Sequence, residues 1–183
     1  MEGLGYPDKS RLLQWYDEFS RPLPWRENPE PWSVLLSEFI LQQTKMEVGV
    51  GYWERMIARF PTLLDMASSS LDEVMEIWQG CGYYARARNL HALSIIVASR
   101  NPPILPSDPS ELQKLPGIGP YTAAAIASIS FEIPISVVDG NVRRVYSRMN
   151  ALENPKPSEV KTWAQSCLDY NRPGDWNQAV MEL

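Results

Sequence analysis

Cysteine is nearly absent from this chain: Cys81 and Cys167 are the two among 183 residues. They are too few and too far apart for a disulfide framework or a cysteine metal site. Together with an N-terminus that lacks a secretory pattern, they predict an intracellular, reducing compartment, cytoplasmic or nuclear. Histidine is scarcer still. His91 lies on a predicted helix with no second histidine and no acid–nucleophile set beside it, so it reads as structural. No apolar run approaches the length that spans a bilayer, and no membrane partner is expected. Positive charge is also short, with 17 Lys and Arg against 22 Asp and Glu, a net charge of −5 and a pI near 5.0. That balance argues against an indiscriminate nucleic-acid binder. It leaves two local basic clusters, Arg86 with Arg88, and Arg143 with Arg144 and Arg148, each of which also reads as a solvated helix face.

What is present is a folded globular composition, 44% apolar and 21% charged. The chain centres on Leu115–Val142. Pro116-Gly117-Ile118-Gly119-Pro120 cannot be helical, because its glycines admit positive φ and its prolines remove donors. A short helical run, Ser110–Leu115, precedes it. The strongly helix-forming Tyr121–Ile129 follows, with Pro120 suited to the first helical position. Such a hairpin offers consecutive N–H groups beside a helix N-terminus, where a phosphate can sit. It can equally be a tight turn between packed helices.

Elsewhere the spacing predicts helices throughout. One runs from an N-cap at Ser10 to Phe19, and others over Trp32–Thr44, Glu47–Phe60, Leu71–Trp78 and Tyr83–Ser99, with a further one capped by Ser158. Trp25 and Arg26 follow a proline-broken segment and offer packing, or a ring and cation for a base. Glu38 stands mid-helix among Val34, Leu35 and Leu41. Apolar surroundings raise a carboxyl pKa and suit a general acid, while a buried Glu paired with Arg or capping a helix is the structural alternative. Ile135–Val138 reads as extended, without a strand partner. Asp139 then opens a helix as an N-cap, a role compatible with chemistry.

Six segments stand in order: LPWR at Leu23–Arg26, SEFILQQT at Ser37–Thr44, GYYARARNLH at Gly82–His91, LPGIGPYTAAAI at Leu115–Ile126, VVDGNVRRV at Val137–Val145 and NQAVMEL at Asn177–Leu183. Together they resemble the catalytic domain of the adenine DNA glycosylases, the MutY family of the helix-hairpin-helix glycosylase superfamily. The resemblance implies an all-α, two-lobed fold with a DNA cleft between the lobes. Residues 28–133 would form a six-helix lobe with the hairpin at 115–121, and residues 1–27 plus 134–183 the second lobe. The implied substrate is double-stranded DNA with adenine opposite 8-oxoguanine or guanine, bound by a monomer. By resemblance Glu38 is the general acid, Asp139 the carboxylate that meets the cationic sugar, and Tyr121 the family's tyrosine beside that Asp. Tyr121 stands where bifunctional relatives carry a Schiff-base lysine, which implies base release without strong strand cleavage. Trp25, Arg26 and Glu182 would line the adenine pocket. Gln43, Thr44 and Tyr83 would enter the duplex, and Arg86, Arg88, Gly117, Gly119, Asn141 and Arg143 would contact DNA. A sodium or potassium ion is implied at the carbonyls of Gln113, Leu115 and Ile118.

Family members continue beyond the MEL segment into four cysteines that ligate an iron–sulfur cluster. Cys81 and Cys167 do not fit that pattern, so no cluster and no 8-oxoguanine-recognition domain are expected within this chain. Two other readings stand beside the first. One is a thymine or uracil mismatch glycosylase, which a general acid at Glu38 disfavours. The other is a helix-hairpin-helix module that grips DNA without catalysis.

Overall fold

The computed structural model describes residues 5–183; the opening residues of the predicted lead-in lie outside the described ones. Twelve helices and no strand occur among the described residues: α1 Lys9–Phe19, α2 Pro24–Glu27, α3 Pro31–Leu41, α4 Met46–Arg59, α5 Leu63–Ser68, α6 Leu71–Trp78, α7 Ala85–Ala98, α8 Pro109–Leu112, α9 Pro120–Phe131, α10 Gly140–Met149, α11 Pro157–Cys167 and α12 Pro173–Glu182. No helix of the described residues is long and apolar enough to cross a membrane.

The chain divides into two compact units, one from Pro22 to Ala123 and one made of the described residues up to Arg21 with Ala124–Leu183. The division falls several residues before the expected lobe borders at 27/28 and 133/134. In the first unit α3 packs on α2, α4 and α7, and α7 also on α5 and α6. Leu35, Leu36, Phe39, Ile40, Met56, Phe60, Met66, Trp78, Leu90 and Leu93 are fully buried there. His91 is buried as well, with Nε2 3.0 Å from the Ser69 carbonyl, a structural contact that absorbs the lone histidine. In the second unit α12 packs on α1 and α10, and α10 on α11, around Leu12, Tyr16, Val145, Tyr146, Trp163 and Trp176.

Several helix starts differ from expectation for local reasons. Asp8, not Ser10, caps α1, because its carboxylate accepts the Arg11 N–H and also the Ser10 hydroxyl. Helix α11 begins at Pro157, one residue before Ser158, and the Glu159 carboxylate accepts the Lys156 N–H at 3.0 Å. Helix α3 stops at Leu41, short of Thr44, and Gln43 takes φ 59°. Residues 135–138 form neither helix nor strand.

Candidate active site

On the Pro22–Ala123 unit, α3 carries Glu38. From Trp32 to Ile40 every residue is buried except Glu38, which is half-buried. A carboxyl on an otherwise enclosed helix, open on one side, can meet a substrate without full hydration. Just beyond, Gln43 is exposed in the left-handed region and Thr44 is half-buried. The turn between α6 and α7 does the same for Tyr83, which has φ 46° and is 63% exposed. Non-glycine residues in this region are uncommon and cost energy, and they cluster at functional sites.

Arg86 is placed otherwise than its sequence suggested. It is 7% exposed. Its Nη1 donates to the carbonyls of Phe39, Ile40 and Gln42 at 3.0, 2.7 and 2.5 Å and to Thr44 Oγ1 at 3.2 Å. Its Nη2 donates to the Cys81 and Gly82 carbonyls, both at 3.1 Å. A guanidinium so enclosed is no surface phosphate contact. Arg88, two residues on and toward the opposite side of α7, is exposed.

The hairpin Leu115–Tyr121 turns on Gly117, whose φ is +80°, and the Ile118 N–H closes on the Leu115 carbonyl at 3.2 Å. A Cβ at Gly117 would meet Phe39 Cε1 at 2.8 Å and Asn89 Cβ at 2.9 Å, whereas one at Gly119 would meet nothing within 4 Å. Tyr121, half-buried, opens α9 directly behind Pro120. Backbone carbonyls at Gln113, Leu115 and Ile118 are hard oxygen donors of the kind sodium or potassium takes. The Leu115 carbonyl accepts the Ile118 N–H and keeps a second lone pair beyond that bond. Trp25 is buried against Trp53, ring centroids 5.8 Å apart, with Arg26 half-buried beside it.

On the other unit, Asp139 caps α10. Its Oδ1 accepts the Val142 N–H and its Oδ2 accepts Asn141 Nδ2, both at 2.8 Å. Arg144 Nη1 in turn donates to Asn141 Oδ1 at 2.7 Å, while Arg143 is exposed. The extended segment leading to Asp139 is held by two amides that sequence reasoning did not single out. Asn177 Oδ1 accepts the Val137 N–H at 3.0 Å, and its Nδ2 donates to Ser128 Oγ and the Ile135 carbonyl, both at 2.9 Å. Gln165 Oε1 accepts the Ser136 N–H at 2.9 Å, and its Nε2 donates to the Pro134 carbonyl at 3.1 Å. Asn177 lies in the NQAVMEL segment, so the motif was the available signal; nothing marked Gln165. Glu182 accepts the Arg21 N–H at 3.0 Å and Arg21 Nε at 2.7 Å.

Both cysteines are free and buried, and burial pushes the Cys167 thiol up to about 11. Among the described residues no group of three or more His, Cys, Asp or Glu could hold a metal ion.

Residues 36–168, which hold the helix–glycine hairpin–helix and the capped aspartate downstream of it, match the HhH-GPD superfamily of base excision DNA repair proteins, and the chain belongs to that superfamily. Within it, the chain is 43% identical to the adenine DNA glycosylase of Rattus norvegicus and 42% to that of Homo sapiens, over 96% of its length in each case. It is 35% identical to the adenine DNA glycosylase of Buchnera aphidicola (strain Bp) over 94% of its length. The chain spans 37%, 35% and 50% of those three relatives. Its fold is similar to a thermostable thymine-DNA glycosylase (TM-score 0.81, 22% identity, 94% of this chain and 82% of that one). It is also similar to endonuclease III in a trapped covalent complex with DNA (TM-score 0.78, 22% identity, 94% and 80%).

Proposed function

We propose that the chain is an adenine DNA glycosylase acting on adenine opposite 8-oxoguanine or guanine in double-stranded DNA inside the cell, as a monomer. The observation that carries this reading is the identity of 42–43% to adenine DNA glycosylases over 96% of the chain, which includes Glu38, Tyr121 and Asp139 in their motifs. The enclosed but accessible setting of Glu38 and the doubly bonded carboxylate of Asp139 support it.

Glu38 donates a proton to the imidazole ring of the extruded adenine. The glycosidic C–N bond then breaks with its electron pair leaving on the base, which departs neutral. The Asp139 carboxylate stabilises or transiently captures the cationic sugar, and water completes hydrolysis at the sugar carbon. Splitting the work between an acid and a stabilising carboxylate is the general logic of glycoside hydrolysis. Tyr121 has no amine for a Schiff base, so the strand stays intact. Gln43, Thr44 and Tyr83 occupy the space the adenine leaves, which offsets the few kcal/mol of lost stacking and pairing. Gly119 allows a phosphate close to the hairpin, and a sodium or potassium ion at the carbonyls of Gln113, Leu115 and Ile118 would add positive charge there. Trp25, Arg26 and Glu182 serve adenine recognition, and Arg88, Asn141 and Arg143 contact the backbone.

The test is Glu38→Gln on duplexes with adenine opposite 8-oxoguanine. The proposal expects DNA binding to persist and release to be lost. Unchanged release would remove Glu38 from the mechanism, and release of mispaired thymine in place of adenine would replace the substrate.

A further inference from the structure

The two exposed turns that carry Gln43, Thr44 and Tyr83 lie far apart in sequence, yet one side chain holds both. Helix α3 ends without glycine, so its last carbonyls need donors. The Arg86 guanidinium supplies them at Phe39, Ile40 and Gln42, and a cation is favoured at a helix C-terminus. The same group reaches Thr44 Oγ1 on one side and the Cys81 and Gly82 carbonyls on the other. Its Cζ also lies over two rings, 5.3 Å from the Trp78 centroid and 5.4 Å from that of Tyr83. Nη1 serves four acceptors with two hydrogens, so its bonds are shared, and Nε is buried without a partner among the described residues. The guanidinium fork ties two turns together at some cost in its own satisfaction.

We infer that Arg86 is the positioning residue of the base-extrusion step: it locks the α3–α4 and α6–α7 turns in register, so that Gln43 and Tyr83 enter the duplex as one unit. Arg86 itself touches no DNA. Lysine cannot reproduce this, because one ammonium cannot span both sets of carbonyls or stack as a plane. The inference rests on the glycosylase reading, which assigns those turns to the duplex.

The test needs no catalysis. A duplex with 2-aminopurine opposite 8-oxoguanine is titrated with the wild-type chain and with Arg86→Lys, and the fluorescence rise at saturation reports the unstacked base. The expected result is a much smaller rise for Arg86→Lys, with affinity and its salt slope nearly unchanged. Single-turnover adenine release should fall about 10–100-fold, the scale of an ångström-level misplacement. In a double-mutant cycle with Tyr83→Ala, the two losses should be non-additive. In Arg86→Gln, which removes the charge, a weakened affinity whose salt slope drops by about one would make Arg86 a phosphate contact and overturn the inference. An undiminished rise in Arg86→Lys would also overturn it. Amide exchange on the same samples reads folding. Protection kept in α7 but lost at residues 42–44 and 81–83 supports positioning, whereas global loss in both Arg86→Lys and Arg86→Gln makes the residue a requirement of the fold and overturns a specific role. A wild-type chain that gives no rise contradicts the glycosylase reading instead.

Discussion

The hairpin glycines look equivalent in sequence, and the structure predicts that they are not. Replacing Gly117 by Ala forces an L side chain into φ +80°, at about 1–2 kcal/mol for the left-handed region. The new Cβ also lands 2.8 Å from Phe39 Cε1 and 2.9 Å from Asn89 Cβ. Phe39 is 0% exposed on α3, so it has little room to retreat. Overpacking of this kind costs a further 1–3 kcal/mol or so, giving a total of about 2–5 kcal/mol. Gly119→Ala adds a methyl to open space at an ordinary φ, so its stability should stay within about 0.5 kcal/mol of wild type. Urea unfolding of the two variants, with matched m-values, measures the difference directly. Equal losses at the two positions, or a Gly117→Ala loss below about 0.5 kcal/mol, would refute the geometric argument. The same pair separates fold from function, because Gly119→Ala should weaken DNA binding while keeping wild-type stability.

Further perturbations probe other parts of the account. Asn177→Ala removes the acceptor of the buried Val137 N–H and the donor to Ile135; chemical denaturation should show a loss of about 2–4 kcal/mol. The Arg172 guanidinium beside Asp17 lowers that carboxyl below its ordinary 3.8. A lowered folded pKa contributes stability above the unfolded value and loses it as pH falls through the folded one. The stability deficit of Asp17→Asn, about 0.2–1 kcal/mol for so exposed a pair, should therefore be present at neutral pH and vanish in strong acid; a deficit that grows in acid would reverse the sign. Cys167, its thiol raised to about 11 by burial, should resist iodoacetamide at mildly alkaline pH until the chain is unfolded, as mass spectrometry of the labelled peptide would reveal.

Helix identity was legible because it rests on local properties: apolar spacing, proline at first positions, and carboxylate or hydroxyl caps. Competing caps were harder. Asp8 and Ser10 are both good candidates, and the structure uses one as acceptor and the other as its donor. The end of α3 was not legible, because Gln42, Gln43 and Thr44 carry no stop signal and the stop is made by Arg86, more than forty residues away in sequence. The same distance hid the role of Arg86, which in sequence is one arginine beside another. Glu38 and Asp139 were visible for opposite reasons. Glu38 is a charge in an apolar helix, and Asp139 is a cap after an extended run. The amides of Asn177 and Gln165 that hold that run depend on tertiary contacts no local pattern announces.

Adenine release by this chain is tested by single-turnover assays on duplexes with adenine opposite 8-oxoguanine, guanine and thymine. Release is expected from the first two and not from the third, with intact strands throughout. Firm mismatch-dependent binding without any release would contradict it and leave a DNA-binding module in its place.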